Sequence, residues 1–116
     1  MNYKYINTGY INSVTGGDKN TIAEILEMFR EQVNDVTSNM KKFLNENDYF
    51  NLSMIVHKVK SSVAIMGMEQ LENMLNVFER QSREGEEKEK YGDYILRFEH
   101  DTSEAIIELE NYINSL

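Results

Sequence analysis

The chain has 116 residues and a formal net charge of −8, a length that suits one domain around a single core. The acidic balance argues against nucleic acid, whose binding draws most of its affinity from Lys and Arg on phosphates, and against anionic membrane surfaces. Cysteine is absent, which excludes disulfides, thiolate catalysis and cysteine metal sites.

Proline is also absent, and apolar residues recur at steps of three and four, so an all-α class is expected. No run approaches the roughly 18 apolar residues of a membrane helix. Met1-Asn2-Tyr3-Lys4-Tyr5 lacks the apolar region of a secretory signal. A cytoplasmic monomer is therefore expected.

In residues 1–15, Tyr3, Tyr5, Ile6, Tyr10, Ile11 and Val14 fit a short helix or an arm lying across a bundle. Thr15-Gly16-Gly17-Asp18 breaks the pattern. Asp18 is a good N-cap, and Thr21-Ile22-Ala23-Glu24 offers a competing start with capping-box spacing. A helix over 18–45 carries the stripe Ile22, Ile25, Leu26, Phe29, Val33, Val36, Met40, Phe43 and Leu44. Asn47 or Asp48 caps a second helix over 48–66. A third, over 68–82, buries Leu71, Met74, Leu75 and Phe78. The charge-dense run from Ser82 to Lys90 reads as a solvated turn around Gly85. The last helix, 87–115, starts at Glu87 or Tyr91, and its stripe runs from Tyr91 through Phe98 and Leu109 to Leu116. Short connections between four amphipathic helices predict an antiparallel four-helix bundle, with the N-terminal helix or arm added, as one domain over 1–116.

The second helix carries His57, one of only two histidines. With His57 set at zero on a helical wheel, Leu52, Ile55, Val56, Val59, Ser62, Val63 and Met66 fall at about 140–260°, the core face. His57 lies opposite, where a solvated imidazole offers a neutral, nucleophilic nitrogen near neutral pH. Ser53, Lys60, Ser61 and Ala64 fall within about 60° of it. Three of these are small and admit a close-approaching partner. Phe50, Met54 and Ile65 lie to one side, as an apolar patch off the core face that suggests docking.

His57-x-x-Lys60-x-Ser62, followed by Gly67 and Leu71, resembles the histidine phosphotransfer (HPt) domain of two-component phosphorelays. Gly16-Gly17-Asp18 before the first long helix, the break at Asn47-Asp48 and Glu79 on the following helix extend the likeness from about residue 11 to the end. The family often has Gly after the lysine; here the residue is Ser61. The resemblance implies a phosphocarrier rather than an enzyme, relaying a phosphoryl group between aspartates of response-regulator receiver domains. His57 would be the phosphorylated nucleophile and Lys60 would neutralise phosphate charge. Ser61 would donate a hydrogen bond, and Gly67 would serve the helix end. A partner would meet Phe50, Ser53, Met54, Ala64 and Ile65. A hybrid sensor histidine kinase is a further candidate partner. No cofactor is expected on this chain, and the Mg²⁺ such transfer uses would sit on the receiver.

No Walker A loop, His-Glu-x-x-His or EF-hand loop is present. Position 54 is Met and position 97 is Arg, so neither histidine forms the Glu-x-x-His of a di-metal bundle. His100, between acids on the last helix, reads as a solvated surface residue. The reading from another class is a helical adaptor that binds a signalling partner without carrying phosphate.

Overall fold

The computed structural model describes residues 3–116, so Met1 and Asn2 of the expected arm lie outside it. The elements are α1 (Thr8–Thr15), α2 (Lys19–Asn45), α3 (Tyr49–Ile65), α4 (Glu69–Glu84), a 3-10 turn (Lys88–Lys90) and α5 (Tyr91–Ser115). No strand occurs among the described residues, and none of the helices is long and apolar enough to cross a membrane. The four long helices form the bundle. α3 packs between α2 and α4, and α5 closes the ring against both. The longest dimension is 44 Å, close to the roughly 40 Å that the 27 residues of α2 span.

Helix starts follow local chemistry. The Asp18 carboxylate accepts from the Thr21 amide at 2.9 Å and the Thr21 hydroxyl at 2.7 Å. It therefore prevails as the cap of α2 over a start at Thr21, and these bonds lower its pKa. Asp48 caps α3 by accepting from the Asn51 amide at 3.2 Å, while Asn47 takes the left-handed conformation of the turn, with φ 55°. The third and fourth helix bounds differ from the expected 68–82 and 87–115. α4 continues to Glu84, where Gly85 stops it in a left-handed conformation. Glu87, at φ 57°, cannot be part of a right-handed helix, so α5 proper begins at Tyr91. The run 82–90 is not wholly solvated either. Ser82 is buried, and the buried Tyr91 hydroxyl donates to the Gln81 and Glu86 carbonyls at 2.7 and 2.6 Å. Burial pushes the Tyr91 phenol above its ordinary value, and the nearby Tyr49, Glu86, Glu89 and Tyr94 add to the shift.

The core follows the apolar stripes of α2 to α5, with Ile25, Phe43 and Leu44 of α2 only partly buried against it. Ile55 and Ser62, at the margin of the α3 stripe, are half-buried and line a groove against α2. Leu116, at the end of α5, is half exposed.

The N-terminal segment is an arm followed by the short α1. Ile6 and Ile11 are buried, whereas Tyr10 and Val14 are exposed, so the apolar residues of this segment do not share one buried face. The arm is tied down by backbone chemistry. The Glu108 carboxylate accepts from the amides of Lys4, Tyr5 and Ile6 at 3.1, 2.8 and 3.1 Å. The Asn7 amide donates to the Met66 carbonyl at 3.1 Å. Gly67, at φ 71°, turns the chain from α3 to α4, and a Cβ there would lie 2.5 Å from Cβ of Asn7. Both the turn and the arm therefore require glycine at this position.

Candidate functional site

α3 and α4 form a hairpin of helices around Met66-Gly67-Met68. His57 lies ten residues before Gly67 and Glu79 twelve after it. Two antiparallel helices rising equally per residue bring such positions to the same height. The His57 Nδ1 sits 2.9 Å from Glu79 Oε2. One turn along, Lys60 Nζ lies 2.6 Å from Glu79 Oε1 and 3.0 Å from Asn76 Oδ1. Arg83 Nη2 completes the cluster, donating to Glu79 Oε2 from the next turn of α4.

Glu79 is the centre of this arrangement. Its side chain is only 8% exposed, against 63% for His57. Burial alone would raise its carboxyl pKa, but hydrogen bonds from Lys60, His57 and Arg83, with the charge of Lys60, outweigh burial and hold the group below the usual carboxylate range. An ionised carboxylate only accepts, so the ring nitrogen facing it must carry the proton. The neutral imidazole is thus held as the Nδ1–H tautomer. Nε2, on the far side of the ring, keeps its lone pair on the exposed side.

Around His57 the expected surface is brought together in part. Phe50 and Met54 are 67% and 50% exposed. Ala64 and Ile65 are half-buried, and Ser61 is exposed. The Ser61 hydroxyl makes only a 3.5 Å contact with the Lys58 carbonyl, at the outer limit of a hydrogen bond. Ser53 is a correction. It is fully buried and its hydroxyl donates to the Phe50 carbonyl at 2.6 Å, so it presents nothing to a partner. The wheel puts Ser53 near His57 but on the same side as Lys60, the side that α4 covers.

α2 adds what α3 alone did not disclose. Met28 is 70% exposed and, with Ile25, Ile55, Lys58 and Ile65, lines a groove of about 470 Å³ between α2 and α3. Glu31 and Asp35 line it as well, and it runs beside Lys58, the neighbour of His57. Glu79, Asn76 and Arg83 were also missed as members of the site. One signal was available: Glu79 follows Leu75 by four residues and so falls on the buried stripe of α4, where a carboxylate must be paired.

The second histidine sits elsewhere. His100 on α5 is exposed, its Nδ1 lies 3.0 Å from Asp101 Oδ1, and its ring meets Tyr5 edge-on. Among the described residues no group of three or more His, Cys, Asp or Glu side chains is placed to hold a metal ion.

No curated protein and no solved structure matches the chain. A family model described as the Hpt domain matches residues 24–114, a span that contains α3, α4, most of α2 and all of α5 but its last residue. With most of its length inside that match, and a helical bundle displaying a solvated histidine, the chain belongs to the Hpt domain family.

Proposed function

We propose that the protein relays a phosphoryl group between aspartates of response-regulator receiver domains through phospho-His57. The observation that carries this reading is the contact between His57 and the buried, ionised Glu79, which leaves Nε2 free to act as nucleophile. In this mechanism the Nε2 lone pair attacks the phosphorus of a receiver's aspartyl phosphate. The P–O bond to the aspartate breaks and its carboxylate leaves. The imidazole becomes cationic, and the Nδ1–H bond to Glu79 stabilises that charge. The reverse steps deliver the group to a second receiver. A hybrid sensor histidine kinase is a further source.

Phosphoryl transfer asks mainly for positioning and charge neutralisation. Lys60, one turn from His57, is the cation for the phosphoryl oxygens. Its present partner, Glu79, fixes its position. Ser61, weakly engaged by its own helix, supplies a hydroxyl for the same oxygens. Gly67 has a structural part, at the helix end. Phe50, Met54, Ala64 and Ile65, with Met28 of α2, form the surface a receiver would cover. Mg²⁺ is expected at the receiver's aspartate. The phosphoryl group comes from a partner, because the sequence carries no Walker A loop.

Incubation with a phosphorylated receiver domain tests this. Label should pass to the protein as an acid-labile, base-stable phosphoramidate, and His57→Gln should abolish it. Label that persists in His57→Gln would remove His57 from the role. A wild-type protein that no competent receiver can label would be the adaptor instead.

A further inference from the structure

Six of the seven methionines lie among the described residues, and they divide sharply. Met40, Met66, Met68 and Met74 are at most 8% exposed, whereas Met28 and Met54 are 70% and 50% exposed. The two exposed thioethers lie on the two helices, α2 and α3, that flank one groove. Met54 precedes His57 by three residues on α3, which places it on the same side of the helix. Met28 lies on the opposite wall of the adjoining groove, with Ile65 and Lys58. The chain has no cysteine, so no thiol competes for an oxidant, and accessible thioethers are the side chains most open to peroxide.

We propose that Met28 and Met54 are modification sites for two-electron oxidants of the peroxide class, and that their oxidation uncouples the protein from receivers without disabling His57. This rests on the phosphocarrier reading of the site. In the step, a sulfur lone pair attacks one peroxide oxygen and an S–O bond forms. The O–O bond breaks and, after proton transfer, the second oxygen leaves as water. Sulfur loses two electrons and the peroxide gains them. Each product is a sulfoxide, whose strongly polar oxygen replaces an apolar contact. A partner covering the patch must then desolvate two new acceptors. Thiol-dependent methionine sulfoxide reduction reverses the change. His57 Nε2, Glu79 and Lys60 contain no sulfur and keep their geometry, and the buried methionines keep the core intact.

Two phosphoryl donors separate docking from chemistry. The protein is treated with hydrogen peroxide, and peptide mass mapping should find one added oxygen on each of Met28 and Met54 before any on Met40, Met66, Met68 or Met74. Circular dichroism should be unchanged. Transfer from a phosphorylated receiver that charges the untreated protein should then fall about tenfold or more. Loading by phosphoramidate, which needs no docking surface, should stay within about twofold. A Met28→Leu/Met54→Leu protein should keep, after peroxide, whatever receiver-dependent rate it had before. The proposal is overturned if the oxidised protein takes label from the receiver at its original rate. It is equally overturned if phosphoramidate loading falls in parallel, or if the leucine variant loses as much as the wild type. An untreated protein that neither donor can label sinks the phosphocarrier reading itself, and this inference with it.

Discussion

His57 and His100 are alike in exposure and in their distance to a carboxylate. Each is about equally exposed, at 63% and 62%, and each places Nδ1 at 2.9 or 3.0 Å from a carboxylate. In each case an arginine one turn away holds the same carboxylate: Arg83 on Glu79 and Arg97 on Asp101. The difference lies behind the histidine. Asp101 is the adjacent residue on the same helix, so its contact depends on two surface side chains adopting one rotamer each. Glu79 comes from another helix, is the more deeply buried of the two carboxylates, and also holds Lys60 at 2.6 Å. Its position is set by the packing of α3 on α4. A histidine–carboxylate distance therefore says little by itself. What distinguishes a positioned imidazole is that its partner cannot go elsewhere.

Exchanging each carboxylate for its amide is the sharpest way to break this comparison. Glu79→Gln should slow phosphoryl uptake by His57 about 10- to 100-fold, the scale seen when the group orienting a functional histidine is lost. The same assay on Asp101→Asn should show no change beyond about twofold. Equal losses would mean that the burial of Glu79 is irrelevant to His57.

Stability gives a second, smaller contrast. At neutral pH Glu79→Gln should cost about 1–3 kcal/mol in urea unfolding, because Lys60 and Arg83 lose a charged partner. Its pH dependence has a definite sign. The Glu79 carboxyl is lowered in the folded protein, so its contribution is complete above the ordinary glutamate value of about 4.3. It is lost as pH falls through the lowered folded value. The difference between wild type and Glu79→Gln should accordingly shrink as pH falls below about 4.5. A difference that grew as pH fell below about 4.5 would refute the ionised state of Glu79. The smallest effect belongs to Asp101→Asn, which should shift stability by no more than about 0.5 kcal/mol, as expected for an exposed pair.

The bundle was legible because each helix advertises its buried face by period, and because Asp18 and Asp48 mark starts by local hydrogen bonding. Those signals reach only a few residues along the chain. The facing of α3 and α4 does not, and the site depends on it. Ser53 and Ala64 lie at similar angles from His57 on a wheel, yet Ser53 is buried and Ala64 is not, since a wheel carries no information about which flank a neighbour covers. Glu79 was visible as a layout feature but its grip on His57, Lys60 and Arg83 was not, because that requires knowing how α3 and α4 align to join residues 22 positions apart. Met28 was hidden for the same reason, being a surface residue of α2 that joins the patch only through the packing of α2 on α3.

The clasp between Glu108 and the amides of Lys4, Tyr5 and Ile6 bears on the order in which the molecule assembles. These bonds join positions 102 to 104 residues apart, and the Asn7–Met66 bond spans 59, whereas α2, α3, α4 and α5 each pack against a neighbour through a short turn. Contacts of such separation are entropically costly until most of the chain is already in place. The arm is therefore expected to be the last part of the protein to settle and the first to lift. Hydrogen exchange at its four amides would time the completion of folding rather than the formation of any one helix.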